Sequence, residues 1–490
     1  MMNPLLPKIF QLEETTINNI QEAFQNGNLT SKELVCMYME RISLYDGQGP
    51  GLNTILELNP DSIHIAEALD EERKRKGARS PLHGIPVLIK DNIDTNDKMH
   101  TSAGSLALKN AYAARDAFIV KKLREAGAVI LGKTNMTEWA NFMTENMTNG
   151  YSSRGGQVLN PYGPGTFDVS GSSSGSGAAI AANLATVAVG TETSGSILCP
   201  SYANNIVGIK PTVGLLSRAG IIPISNSQDT AGPMARTVTD AAILLGILAG
   251  ADEEDPATLK SIEKAKNDYT AYLDKGGLKG ARIGFAKKRY LKMLSNSQQQ
   301  IMENAISIME QRGATIIELN ETSPLEHEEG DYAVLLYEFK SGINDYLKRL
   351  HPSVCIRTLN DIIQFNKDNA KDCLKFGQTL LLESEQTSGT LTEPEYIKSR
   401  LNQIVKAQKL GIDKVIEEHQ LDSILYPGEF GYEIGAKAGY PSITVPAGFD
   451  DAGAPYGIIL TGRAFSEPTL IRLGYAFEQA SLFRKPPVLE

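Results

Sequence analysis

Between Ser170 and Gly177 the chain consists of serine and glycine alone, and it runs straight into Ala178-Ala179-Ile180-Ala181-Ala182-Asn183-Leu184-Ala185. A run of that composition behaves as a flexible linker when its ends are free. Here one end is pinned, because eight small and mostly apolar residues make a helix suited to close burial. Thirteen of the 44 glycines fall between Gly155 and Gly232, nearly twice the average density. Glycine lets a backbone turn tightly or present its N–H groups to a ligand, so function is expected in this stretch.

The flanking sequence predicts a mixed α/β core with helices on its faces. Thr30-Ser31-Lys32-Glu33 has capping-box spacing and opens the periodic run Leu34, Val35, Tyr38, Met39, Ile42. A second helix is read at Asp61–Lys76. Gly84-Ile85-Pro86-Val87-Leu88-Ile89-Lys90-Asp91-Asn92 is a strand-like apolar run that stops at polar groups. Helix Phe118–Ala126, strand Ala128–Leu131, strand Thr186–Val189 and the apolar helix Thr237–Gly250 follow. From about residue 252 to 419 the chain becomes charged and helix-rich, with one strand-helix-strand unit from Ala281 to Leu319. This subregion is expected to be an added helical layer and a lid. Strands at Ile424–Tyr426, Ser442–Val445 and Tyr456–Leu460 precede a last helix at Pro468–Leu482. All 490 residues are taken as a single domain.

Composition limits the function classes. An apolar share of 41% excludes a disordered chain. The net charge of −10 repels phosphate backbones and anionic lipid, so neither nucleic acid nor membrane is expected as a partner. Cys36, Cys199, Cys355 and Cys373 lie far apart with no C-x-x-C pair, and the six histidines are scattered. That fits a reducing, cytoplasmic setting and no metal site. Pro4, Pro7, Glu13 and Glu14 interrupt the start before an apolar signal segment can form. Oligomeric state is not legible.

Three readings of the serine-glycine segments compete. Gly171-Ser172-Ser173-Ser174-Gly175 matches G-x-S-x-G with Ser173 as nucleophile, but that elbow must follow a buried strand, and Tyr162–Asp168 reads as loop. A phosphate cradle would need Gly-Lys-Ser/Thr at its end, and Gly175-Ser176-Gly177 has no lysine. In the third reading the loop joins a second one, Gly190-Thr191-Glu192-Thr193-Ser194-Gly195-Ser196, where the amides of Thr193, Ser194, Gly195 and Ser196 can turn toward one point. A serine needs a base to take its proton, and no histidine is near. Lys90 is the candidate: at the end of an apolar run, burial lowers its pKa toward a neutral amine. A strand-end lysine in water, or paired to Asp91, is the other reading of the same residue.

These segments together resemble the amidase signature family. Gly171 through Pro200 follows the family's Gly/Ser pattern, including the 24-residue spacing of Ser172 and Ser196. Gly84–Asn92 is similar to its lysine segment, and Val207–Thr212 and Gln228–Met234 to its continuation. The resemblance implies a Ser-Ser-Lys triad with Ser196 as nucleophile, Ser172 as bridging serine and Lys90 as general base. It also implies a cis peptide bond at Ser172 and an oxyanion hole from the N–H groups of Thr193, Ser194, Gly195 and Ser196. Ser173 and Asp229 are supporting residues, Asp229 orienting the serine loops. The implied activity is amide hydrolysis through an acyl-enzyme, with no metal or organic cofactor. Leu198 stands where many members have Arg, and Ser194 where Asp is common. Ser196–Pro200, Gly220–Ser225, Gln228–Thr230 and Leu335–Lys340 are most similar to bacterial peptide amidases, which implies C-terminal peptide amides as substrates. The stretch Tyr426–Tyr432 is short for that subfamily. A general aliphatic or aryl amidase, and an A-type subunit of a tRNA-dependent amidotransferase, are the alternatives.

Overall fold

The computed structural model describes residues 10–327 and 332–489. Its strands in chain order are β1 (Ile55–Leu58), β2 (Pro86–Lys90), β3 (Val129–Thr134), β4 (Tyr151–Ser152), β5 (Gly156–Gln157), β6 (Val187–Glu192), β7 (Val207–Lys210), β8 (Thr230–Ala235), β9 (Arg282–Phe285), β10 (Thr315–Glu318), β11 (Ser423–Pro427), β12 (Ser442–Phe449) and β13 (Pro455–Thr461). Apart from the small β4–β5 hairpin, they form one sheet of eleven strands in the order β1-β3-β2-β6-β8-β7-β12-β13-β11-β9-β10. The β3-β2-β6 and β11-β9-β10 neighbours are parallel and the remaining pairs antiparallel. Every residue of β2, β3, β6, β7 and β8 is buried. Side chains alternate between sheet faces, so both faces are covered.

Local signals account for much of this. Thr30 and Glu33 make the expected reciprocal cap of the Ser31–Tyr45 helix, Thr30 N–H donating to Glu33 Oε2 at 2.8 Å. Strand β8 is the least legible, since Thr-Ala-Gly-Pro-Met-Ala combines poor strand formers. Pairing on both sides overrides that preference, with Val189 opposite Pro233 and Gly208 opposite Met234.

Half of the serine-glycine run is helix. The small-residue helix starts at Ser174, not Ala178, and ends at Ala181, with all eight residues buried. Its glycine content follows from close approach: a Cβ on Gly175 would lie 2.3 Å from the Asn135 carbonyl oxygen and 2.5 Å from that of Thr54. The linker reading therefore fails. The second loop is also shorter than its composition suggests, because Gly190, Thr191 and Glu192 continue β6.

The stretch from 252 to 419 holds the expected strand-helix-strand unit as well as a helical layer. Strands β9 and β10 extend the main sheet beside β11. The helical layer proper is Ala333–Lys348, Leu359–Asp368, Thr379–Gln386 and Pro394–Gln403. It shares a second hydrophobic core with the 136–147 segment and the 222–224 loop, built from Met136, Trp139, Phe142, Ile224, Phe339 and Ile362 among others. Each such side chain stabilises by ~1.5–3 kcal/mol when buried, which fastens the layer to the sheet domain.

Candidate active site

Parallel pairing of β2 with β6, Val87 opposite Val187 and Ile89 opposite Val189, brings the carboxyl ends of these central strands side by side. In α/β sheets that edge is where ligands bind. Lys90 closes β2, and the loop Thr193–Ile197 leaves β6 and enters the Leu198–Ala203 helix. Ser172 and Ser173 immediately precede the Ser174–Ala181 helix.

Lys90 is 0% exposed. Its Nζ lies 2.8 Å from Ser172 Oγ, 2.9 Å from Ser173 Oγ and 3.2 Å from the Thr191 carbonyl oxygen. Burial pulls its pKa down to about 7, against the opposing pull of Glu192 and Asp229. The pairing of Lys90 with Asp91 is not made. Asp91 instead accepts from the Ser102 hydroxyl and from Gly104 N–H, and lies 3.6 Å from Arg154. Ser173 Oγ donates to the Thr191 carbonyl at 3.0 Å and accepts from Thr191 N–H at 3.2 Å. No strand leads into Ser173, which removes the elbow reading. The peptide bond between Gly171 and Ser172 is cis.

Ser196 sits at the edge of this cluster, 6% exposed, its carbonyl accepting from Ser173 N–H at 3.1 Å. Its hydroxyl makes no hydrogen bond among the described residues and lines a cavity of about 780 Å³ with Thr193 and Ser194. The loop that carries the four expected oxyanion amides is anchored just beyond Ser196 by Glu192. Glu192, 1% exposed, accepts from Ile197 N–H at 2.7 Å and Leu198 N–H at 2.9 Å. Burial raises its carboxyl, opposed by Lys210 and by the amides of Leu198, Ile197 and Gly195. Gly195 has φ +81°, and a Cβ there would lie 2.8 Å from Cys199 Sγ and 2.9 Å from the Tyr432 ring. Gly195→Ala is expected to cost about 1–3 kcal/mol, read as a lower thermal midpoint together with reduced kcat.

Asp229, half-buried and with its pKa raised to about 6 by desolvation, ties the loops together. Its Oδ1 accepts from Thr193 Oγ1 at 2.5 Å and its Oδ2 from the N–H groups of Ile224 and Ser225 at 2.8 and 2.9 Å. Sequence reading missed Thr191, whose backbone holds Ser173, and Glu192. The signal for Glu192 was a lone acid among small uncharged residues directly after a buried strand. It also missed two further buried lysines, Lys133 and Lys210, each 0% exposed. Lys210 donates to the Tyr440 carbonyl at 2.7 Å and is pulled down to about 8 by burial. Leu198, at the position where Arg is frequent, is buried.

The sequence profile described as Amidase matches residues 33–430. The chain belongs to the amidase signature family. A protein described as a probable amidase of Arabidopsis thaliana is 44% identical, covering 98% of this chain and 93% of the relative. The native peptide amidase from Stenotrophomonas maltophilia superposes with a TM-score of 0.92 at 44% identity, over 98% of this chain and 100% of that one. A structure of the peptide amidase PAM with the competitive inhibitor chymostatin gives a TM-score of 0.93 at 45% identity, with the same coverage. This amidase therefore acts on amides, and its mixed sheet with covering helices is the amidase-signature fold. Among the described residues, no helix of the amidase is long and apolar enough to cross a membrane.

Proposed function

We propose that the protein hydrolyses C-terminal peptide amides, with Ser196 as nucleophile, Ser172 as proton bridge and Lys90 as general base. The observation that carries this reading is the fully buried Lys90 amine 2.8 Å from Ser172 Oγ. Proton bookkeeping separates the two serines. The one hydroxyl proton of Ser173 is given to the Thr191 carbonyl, so Ser173 can only accept from the amine. A neutral amine keeps two N–H groups for Ser173 and Thr191, and its lone pair remains for the Ser172 proton.

In the proposed reaction Lys90 Nζ takes the Ser172 proton and Ser172 Oγ takes that of Ser196. Ser196 Oγ then bonds to the amide carbonyl carbon, and the carbonyl electron pair moves onto oxygen. Amides of Thr193, Ser194, Gly195 and Ser196 meet this charge; loss of one such donor costs ~3–4 kcal/mol in comparable sites. The relay returns a proton to the leaving nitrogen, the C–N bond breaks, and ammonia departs. Water, deprotonated by the same relay, attacks the acyl ester and releases the acid and Ser196.

The peptide assignment is supported by the cavity and by the relatives. About 780 Å³ is larger than a simple aliphatic amide fills, and aromatic Phe142, Tyr202, Phe430 and Tyr432 line it beside Ser196. The helix Ala333–Lys348 supplies Leu335 to its wall, which supports a lid role for the helical layer. A cytoplasmic setting belongs to the same proposal, supported by the four free cysteines. Ammonia release across peptide amides, aliphatic amides, aryl amides and glutamine tests it. Highest kcat/KM on peptide amides is expected. Equal or better turnover of simple amides assigns a general amidase, and activity on glutamine only with a second subunit assigns an amidotransferase component.

Lys90 and Asp229 are coupled by charge, the carboxylate favouring the ammonium form. Asp229→Asn is accordingly expected to move the acid limb of kcat/KM to lower pH while lowering its plateau, measured as a full pH–rate profile.

A further inference from the structure

The loop from Ile222 to Asp229 separates two cavities. Ile224 and Thr193 line both the 780 Å³ cavity that holds Ser196 and a second one of about 560 Å³ on the far side, lined by Asp94, Arg218 and Tyr346 among others. Ile222 and Ile224 pack one end of this partition into the second hydrophobic core, and its polar remainder is held by hydrogen-bond tethers.

Two tethers hold it. Asp229, which lines the second cavity, gathers the N–H groups of Ile224 and Ser225 and the hydroxyl of Thr193. From the helical layer comes Glu338, in the middle of the Ala333–Lys348 helix and only 3% exposed. Its Oε2 accepts from Ser225 Oγ at 2.5 Å and from Ser227 N–H at 2.9 Å, and its Oε1 accepts from Tyr396 OH at 2.9 Å. Ser225 is the shared member: its amide is held by Asp229 and its hydroxyl by Glu338.

We infer that Glu338 is a positioning residue for catalysis, holding the 222–229 loop so that Asp229 keeps the Thr193 end of the oxyanion loop in place. A bare amphipathic helix does not need this residue. A carboxylate in a helix interior with three hydrogen bonds, two of them to one loop 111 and 113 residues away in sequence, is costly to bury unless the contacts are satisfied. The helical layer thereby sets the geometry at Ser196 as well as walling the cavity. A tether that acts on the oxyanion amides changes transition-state stabilisation more than ground-state binding.

This inference rests on the peptide-amidase reading, and the test separates the two. Ammonia release from a peptide amide by the unmodified enzyme, and its loss in Ser196→Ala, concerns that reading alone. Given an active enzyme, Glu338→Ala is expected to lower kcat ten- to a hundredfold with KM within about twofold. It is also expected to weaken inhibition by the matching peptide aldehyde by the same factor as kcat/KM. Glu338→Gln keeps an acceptor for Ser225 and Ser227 and is expected to restore kcat to within about threefold. Ser225→Ala, which removes one hydroxyl and leaves the helical layer intact, is expected to lower kcat by a smaller factor in the same pattern. Tyr396→Phe, which touches Glu338 away from the loop, is expected to leave kcat unchanged. Unchanged kcat in both Glu338→Ala and Ser225→Ala, or a change confined to KM, overturns the inference. So does a loss in Tyr396→Phe equal to that in Glu338→Ala, since the residue then serves only the helical layer.

Discussion

Replacing Lys90 by methionine is expected to lower kcat/KM by about four to six orders of magnitude, the scale seen when the base of a serine hydrolase is removed. Methionine fills a similar buried volume but its thioether is not basic, so the amine that lies 2.8 Å from Ser172 Oγ is lost and nothing takes up the Ser172 proton. In the parent enzyme kcat/KM should rise with pH through about 7, where the buried amine becomes neutral. Stability responds in a defined direction. Unfolded, the amine returns from about 7 to its ordinary 10.5, so between these values the unfolded chain binds more protons and stability rises with pH. The cost of burying Lys90 is present in full below about 7 and vanishes above about 10. Lys90→Met should lack this slope. The difference in unfolding free energy between parent and variant, measured in urea at pH 7 and pH 9, is expected to shift by about 2 kcal/mol in favour of the parent at the higher pH. An unchanged difference, or a variant with substantial activity, removes Lys90 from the relay.

Ser196→Ala is expected to abolish turnover to a similar extent, by about four to six orders of magnitude, with a contrasting signature in stability. The Ser196 hydroxyl has no hydrogen-bond partner among the described residues and lines the cavity, so its removal leaves no buried group unsatisfied. The unfolding midpoint should change by no more than about 0.5 kcal/mol in equivalent free energy. Binding of a peptide amide should persist, measurable by calorimetry because the variant cannot consume the ligand. Retention of full activity in Ser196→Ala would instead direct attention to Ser173, the other hydroxyl in contact with Lys90.

The legible parts of the fold are those whose signals are local. The Thr30–Glu33 cap, the apolar run ending at Lys90, and the closing β11, β12 and β13 with the final Glu467–Ser481 helix all lie within about two residues of their expected starts, although β12 runs on to Phe449. Strand β8 carried no such signal, because its glycine and proline are tolerated only where β6 and β7 pair with it from both sides. The strand-helix-strand unit from Ala281 to Leu319 was legible as β9 and β10, but its place in the main sheet was not, for a related reason. A short strand such as β10 reads as a sheet member only when its neighbour, β9, is known to lie against β11.

What the sequence by itself determined is the set of chemical groups and their order: a lysine after a buried strand, two serines 24 residues apart in glycine-rich segments, and hence the family and its amide chemistry. Tertiary structure alone decided which groups meet. Lys90 reaches Ser172 across 82 residues and the Thr191 carbonyl across 101, Glu192 binds the amides beyond Ser196, and Glu338 clasps Ser225 from another layer. Composition and spacing encode local backbone preference, whereas a hydrogen bond between distant segments depends on angles and distances set only when the sheet is assembled. The lowered pKa of Lys90 has the same origin, since desolvation is a property of everything packed around the amine and of no residue next to it in the chain.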